Sequence, residues 1–194
     1  MNSYNLMSAL VLDVNDPENL GRVLITLPAL PDGPEIWARV VSPIAGQDRG
    51  QCLLPEIEDE VLVAFAQGEL SSAYVLGGLW GKQKPPPEGL GGEENNLKIW
   101  KTRSGNTMIF DDKDGEEKIT IADKEENTIV IDTGENRITI KSKKKIVIEA
   151  DGDIAMNGGS IKMKADTIEI TADSSLTLDG GSTADLKAGT VNIN

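Results

Sequence analysis

The sequence contains no histidine and a single cysteine among 194 residues, and aromatic residues make up only 4% of it. Without histidine, the chain has no imidazole for acid/base catalysis, no Ser-His-Asp or Cys-His constellation, and no zinc site that requires a histidine ligand. Cys52 has no partner for an intrachain disulfide, and the apolar neighbours Leu53 and Leu54 predict a buried, unreactive thiol. We therefore expect no enzymatic activity, no cofactor and no metal ion.

The scarcity of aromatic side chains also bears on the architecture, because Phe, Trp and Tyr usually supply much of a globular core. With 39% hydrophobic residues overall, a large compact core is not expected. No apolar stretch approaches the roughly 18 residues that a membrane span requires, and the chain opens without the pattern of an export signal. These features predict synthesis and assembly in the cytoplasm.

Positive charge is also in short supply. The formal net charge is −13 and the isoelectric point is about 4.4, so phosphate backbones should be repelled and nucleic acid is not an expected partner. The main basic run, Lys141–Lys145, lacks the aromatic neighbours that stack on bases. We expect its lysines on the outside of a β-structure, discouraging pairing with foreign strands and facing acidic groups of a neighbouring repeat.

Residues 1–80 contain short segments rich in Val, Ile and Leu, separated by Gly, Pro, Asp and Asn, which is typical of strands and turns. Both faces of these segments carry apolar groups, as in a small barrel that is filled inside and packed outside. Five strands in about 80 residues predict a closed barrel of the OB type. The predicted strands are Ala9–Val14, Arg22–Leu27, Ile36–Val41, Glu60–Phe65 and Tyr74–Leu79.

Residues 81–98 concentrate Pro, Gly and charge, which predicts a linker that builds no core. Beyond it, residues 99–194 show an internal repeat of apolar pairs one position apart, mostly seven or eight residues from one pair to the next. The paired residues are Ile119 and Ile121, Ile129 and Ile131, Ile138 and Ile140, Ile146 and Ile148, Ile154 and Met156, Ile161 and Met163, Ile168 and Ile170, Leu176 and Leu178, and Val191 and Ile193.

Each pair gives its strand one dry face and one wet face, because side chains alternate along a strand. Burying two aliphatic side chains gains roughly 3 to 6 kcal/mol, whereas ordering a repeat costs on the order of 10 kcal/mol. A single chain therefore needs partners, and identical chains are the obvious source. We predict an all-β protein in which the OB-type barrel is followed by a triple-stranded β-helix, a needle intertwined from three chains with the paired residues on its axis.

Several segments of the chain follow one another in an order that is specific to one family. They are Gly21–Val23, Trp37–Pro43, Leu54–Val63, Tyr74–Trp80, Lys101–Thr107 with Asp111 and Asp112, and Glu117–Ile121. The first four resemble the OB domain of the VgrG and phage baseplate assembly protein V spikes, and the last two resemble the stretch that opens their β-helix.

The resemblance implies a homotrimeric puncturing spike at the tip of a contractile injection machine, such as a phage tail, a type VI secretion apparatus or an extracellular particle. It implies a separate hub protein at the N-terminal end, since the chain begins almost at the barrel, and transient contact with the target membrane on firing. The terminal residues Thr190, Val191, Asn192, Ile193 and Asn194 are predicted to dock a separate PAAR-type tip protein, because an apolar pair runs to the end without a polar cap.

Two alternatives stay open at this point: an OB-fold module that binds single-stranded nucleic acid or sugar and carries the repeat as an oligomerising tail, and a trimeric extracellular fibre or adhesin. Minor motifs have ordinary interpretations. The segment Asp112–Gly115 echoes a calcium loop but fits a hairpin turn, and the acidic clusters around Glu56 and Glu93 fit solvated loops. Arg39 and Arg103 are candidates for ion pairs between chains.

Overall fold

The computed structural model describes residues 5–192 and is built from strands, with two short 3-10 turns at Ala66–Gly68 and Leu70–Ser72. Within this range no helix has the length and apolar composition needed to cross a bilayer. The first seven strands are β1 Leu6–Asp13, β2 Arg22–Thr26, β3 Glu35–Val40, β4 Ala45–Gly46, β5 Arg49–Gly50, β6 Glu60–Phe65 and β7 Ala73–Gly78. The next five are β8 Leu97–Lys101, β9 Thr107–Asp111, β10 Lys118–Ala122, β11 Thr128–Asp132 and β12 Arg137–Lys141.

Five strands close into a barrel in the order β1-β2-β3-β7-β6, and β6 pairs back to β1. All neighbours are antiparallel except β3 and β7, which run parallel through Arg39 opposite Tyr74. The five predicted strands of residues 1–80 are confirmed, and β6 has the predicted bounds. The barrel forms because apolar, mostly β-branched residues recur at every second position of a strand, so that one face of each strand fills the barrel interior. The buried core is Ala9, Val11, Val23, Ile25, Leu27, Ala38, Val61, Val63, Phe65, Ala73 and Val75.

The turn between β1 and β2 is organised by Asp16, the buried polar residue of the barrel region. Its carboxylate accepts hydrogen bonds from the backbone N–H groups of Glu18, Leu20 and Arg22, and it lies 2.7 Å from the Arg22 guanidinium. Arg22 in turn stacks over Trp37, with 5.7 Å to the ring centroid. The hydrogen bonds from Arg22 and from the backbone outweigh the effect of burial and hold the pKa of Asp16 well below its ordinary value of 3.8.

A group with a lowered folded-state pKa stabilises the fold above its unfolded pKa and loses that contribution as pH falls through the folded value. We therefore expect Asp16→Asn to lower the melting temperature by several degrees at pH 7, and the difference from wild type to shrink steadily below about pH 4. Melting curves by circular dichroism at pH 7 and pH 3 check this. Asp13→Asn is the control, because the Asp13 carboxylate accepts a hydrogen bond from the Asn15 backbone N–H and has no arginine partner among the described residues. A pH-independent loss in Asp16→Asn would contradict the electrostatic account.

Residues 79–96, which cover most of the predicted linker, contain no strand or helix, and β8 begins at Leu97. The segment is nevertheless attached to the barrel. Lys84 Nζ donates to the Glu58 carbonyl at 2.7 Å and lies 3.2 Å from the Asp59 carboxylate.

Strands β8 to β12 form an antiparallel sheet in sequence order, each paired with the next. Their turns carry the expected chemistry: after β9, the Lys113 N–H donates to Asp111, and Gly115 has a φ of 74°. The segment Asp112–Gly115 is thus a turn between β9 and β10. In the single chain, residues 97–141 are a meander. An intertwined β-helix that starts at residue 99 is therefore not what the single chain shows, because every strand here pairs with its own neighbours.

The chain divides into two compact units, residues 1–145 and 146–194. The second unit has no strand over residues 146–192, and every residue from 143 to 192 is exposed. Its hydrogen bonds within the described chain are confined to the turn around Gly180, where Gly181 N–H donates to Asp179 and Thr183 N–H to the Gly180 carbonyl. This unit has no core of its own.

Candidate functional site

The register of the sheet places the predicted apolar pairs of β10, β11 and β12 on one face. Ile119 lies opposite Ile131, and Ile131 lies opposite Ile138, while Ile129 lies between Ile121 and Ile140. Directly opposite residues of antiparallel strands point to the same side. We call the six residues the isoleucine ladder: Ile119, Ile121, Ile129, Ile131, Ile138 and Ile140.

The isoleucine ladder is open to solvent in the single chain. Five of its members are between 42% and 68% exposed, and Ile119 is half-buried. The residues that alternate with these isoleucines, such as Thr120 and Thr139, lie on the opposite face of the sheet. The charged residues at the strand ends, such as Lys118, lie on that face too. Single exposed aliphatic residues are common on soluble proteins, whereas a contiguous row of six is typical of an interaction surface.

The same pattern continues in the second unit, where every member of the predicted pairs within residues 146–192 is exposed. These are Ile146, Ile148, Ile154, Met156, Ile161, Met163, Ile168, Ile170, Leu176, Leu178 and Val191. Leu186, at 76% exposure, belongs with them although it was not predicted. With Ala184 it fills the gap in the repeat between Leu178 and Val191. The spacing of the repeat predicts a pair at this position, but the small side chain of Ala184 was not recognised as one of its apolar members.

The predicted tip surface is only partly described. Thr190, Val191 and Asn192 are exposed, with Val191 at 51%, whereas Ile193 and Asn194 lie outside the described residues.

Residues 7–80 match the family model of the type VI secretion system/phage-baseplate injector OB domain. The barrel is therefore similar to an injector OB domain, and we use that term for residues 7–80 below. The match covers the closed five-stranded barrel from β1 to β7. It confirms the resemblance to the phage baseplate assembly protein V and VgrG spikes, and it indicates a role in a phage baseplate or a related injection system. It is also consistent with incorporation into such a particle.

The injector OB domain exposes apolar residues on the long loop between β3 and β6. Val41, Ile44 and Leu53 are exposed and line an open cavity of about 670 Å³. Cys52 belongs to this cavity and is exposed, so the prediction of a buried thiol is wrong. The apolar run around it lies on a loop outside the barrel, where the barrel core cannot cover it.

The two arginines predicted to pair between chains have partners within their own chain. The Arg103 Nη1 atom lies 2.9 Å from Glu56 Oε2. This ion pair connects the β8–β9 turn to the loop before β6 of the injector OB domain. Both side chains are exposed, so this pair contributes little to stability. Arg39 instead stacks over Tyr74, its partner across β3 and β7, with 5.6 Å to the ring centroid. The interchain ion pairs stay a prediction, since one chain cannot show them; within the chain Arg103 pairs with Glu56 and Arg39 stacks on an aromatic ring.

The basic run lies where the sheet ends. Lys143 pairs with Glu126 of the β10–β11 turn at 2.9 Å, and the Asn127 side chain accepts from the Ser142 hydroxyl. Lysines 141, 143, 144 and 145 are exposed, and Lys143 faces an acidic group of a neighbouring repeat as predicted.

Proposed function

We propose that the protein is a homotrimeric puncturing spike at the tip of a contractile injection machine, a phage tail or a related particle. The injector OB domains of three chains join a separate hub protein. The isoleucine ladders and the apolar pairs that follow them meet on one axis and form a needle. Contraction of the machine drives the needle through the target envelope, so the action is mechanical and requires no catalysis.

The exposure of residues 146–192 is the observation that carries this proposal. A stretch with an apolar pair every seven or eight residues has no core and almost no hydrogen bonds of its own. Backbone N–H and C=O groups need partners once a strand is buried, and exposed pairs of isoleucine and leucine disfavour a free chain in water. Both needs are met together when other strands with the same spacing lie alongside.

A second copy of the chain is the simplest source of strands with the same spacing. Three copies enclose an axis, turn every dry face toward it and supply strand partners on both sides of each chain. Two copies would leave one edge of each strand unpaired, and unpaired strand edges promote further association. Three-fold closure therefore satisfies the apolar pairs and the backbone at once.

A native mass measurement on the purified chain tests the proposal. We expect a trimer, and no monomer with a folded needle at lower concentration, because folding of the needle and association are one process. A stable monomer would remove the basis of the spike. A titration with single-stranded oligonucleotides tests the alternative of a nucleic-acid-binding OB module, and we expect no binding because the chain has a net charge of −13.

The C-terminal end of the needle is proposed to dock a separate PAAR-type tip protein. In the proposed needle, the exposed Val191 and the open strand edges at that end would otherwise be a site of adhesion between particles. We expect deletion of residues 190–194 to abolish co-purification with the tip protein while the trimer persists, because most of the apolar pairs remain. Affinity purification followed by native mass spectrometry measures both. Unchanged capture of the tip protein would refute this docking surface.

A further inference from the structure

The apolar face of the sheet extends beyond the isoleucine ladder toward the barrel. Across β9 and β10, Met108 lies opposite Ile121 and Phe110 lies opposite Ile119. Across β8 and β9, Trp100 lies opposite Met108. These three side chains therefore point to the same side as the isoleucines, and Trp100 is 64% exposed.

The placement of the aromatic residues is uneven. The sequence has three Trp, two Tyr and two Phe. Within the described barrel, Phe65 is buried, Trp37 lies under Arg22, and Tyr74 lies under Arg39. The remaining described aromatic residues line a single open cavity of about 600 Å³, beside Pro86 and Leu90 of the connecting segment. They are Trp80, Trp100 and Phe110.

We propose that Trp100 and Phe110 of three copies of this chain meet on the axis and close its barrel-proximal end with an aromatic plug. This inference rests on the proposed trimer and adds to it the residues that seal one end. The occupant of the aromatic surface is a second copy of the chain, because the surface is continuous, strand by strand, with the isoleucine ladder. A partner that covers Ile119 and Ile121 also reaches Phe110 and Met108 on the adjacent strand, about 4.8 Å away.

An aromatic plug has a physical reason at this position. An axis lined by isoleucine stays dry only if water cannot enter where the sheet meets the barrel. Large planar side chains bury more area than aliphatic ones and pack against each other in edge-to-face contacts. The indole N–H of Trp100 lies at the edge strand β8, where its polar end can still reach solvent or a backbone carbonyl.

Fluorescence of a chain that retains one tryptophan tests the plug. In Trp37→Phe/Trp80→Phe, all tryptophan emission comes from Trp100. We expect blue-shifted emission and an acrylamide quenching constant several-fold lower than that of the same variant in denaturant. Native mass spectrometry is run on the same sample. A trimer whose Trp100 is quenched as readily as in denaturant overturns the plug and leaves the spike standing, whereas a monomer overturns both.

Two further variants, made in the otherwise wild-type chain, test the plug without substituting Trp37. We expect Trp100→Glu to lower the melting temperature of the trimer strongly, because three carboxylates would be brought together in an apolar site. Trp100→Phe should melt close to wild type, since it keeps the ring. Equal melting temperatures for the two variants would show that Trp100 is solvent-exposed in the trimer, which overturns the inference.

Discussion

Replacing Ile148 by aspartate is expected to abolish the trimer. Ile148 is 71% exposed in the single chain and belongs to the first apolar pair of the second unit. On the proposed axis, its three copies would bring three carboxylates together without water or counter-charges. Burial of each unpaired charge costs several kcal/mol, and neutralisation by protonation at pH 7 also costs free energy. The loss exceeds the roughly 3 to 6 kcal/mol that one apolar pair gains on burial. Ile146→Asp should behave in the same way.

The adjacent residue provides a matched control. Val147 is also exposed, and in a strand of the proposed needle it would point away from Ile146 and Ile148. We therefore expect Val147→Asp to remain trimeric and to melt near the wild-type temperature. Sedimentation velocity and thermal melting at pH 7 compare the three variants. If Ile148→Asp stays trimeric with unchanged stability, or if Val147→Asp is equally damaging, Ile148 does not lie on an apolar axis.

The barrel could be predicted from sequence because its information is local. Each strand is a short run of Val, Ile and Leu that ends at Gly, Pro, Asp or Asn, and such runs have few alternative structures. The segment Glu60–Phe65 shows this best, with buried Val61, Val63 and Phe65 alternating along it. The Asp16 turn could not be predicted, since its three backbone donors and Arg22 come together only once the hairpin has formed.

The repeat region was predictable in pattern but not in pairing. The alternation in Ile119-Thr120-Ile121 specifies which side chains share a face, and the register of β10 to β12 agrees with it. The same alternation suits an antiparallel meander and a strand that pairs with another chain. Loop length distinguishes the two in part, because the turns before Thr128 and Arg137 are short enough for hairpins. Which strand pairs with a given strand depends on the whole assembly and cannot be predicted from the sequence of that strand alone.

Errors at individual residues share one physical cause. The apolar neighbours of Cys52 predicted burial, yet the run lies on a loop, where the thiol is exposed. Trp100 and Phe110 were overlooked because the repeat was sought as aliphatic pairs. In all these cases the side chain's type was informative, while its surroundings depend on segments far away in sequence.

The two parts of the chain differ in what they need to fold. The injector OB domain buries eleven hydrophobic residues within one chain and closes its sheet without free edges. Over residues 146–192, the second unit exposes its apolar residues and its backbone has no strand pairing. In the proposed trimer, a barrel that folds alone and a needle that folds only on association give an assembly order in which three folded barrels hold the needle strands close together. High local concentration then favours winding.

This difference predicts that damage to the barrel core can be separated from damage to the needle. Leu27 is fully buried, and Leu27→Ala is expected to destabilise each barrel by about 2 to 5 kcal/mol, the usual range for leucine truncation in a core. The needle contacts are untouched, so we expect the trimer to persist while the barrel unfolds at a lower temperature. Hydrogen exchange should then show faster exchange in residues 6–78 and unchanged protection beyond residue 146.

Leu10→Ala is the matched control for the barrel, because it removes the same atoms from a side chain on β1 that is 39% exposed. Its cost should be much smaller, since less apolar area returns to water and the solvent-facing side leaves no closed cavity. Differential scanning calorimetry, with native mass spectrometry below the first transition, compares the two variants. Loss of the trimer in Leu27→Ala at a temperature where the needle alone should survive would mean that the barrels, and not the repeat, hold the three chains together.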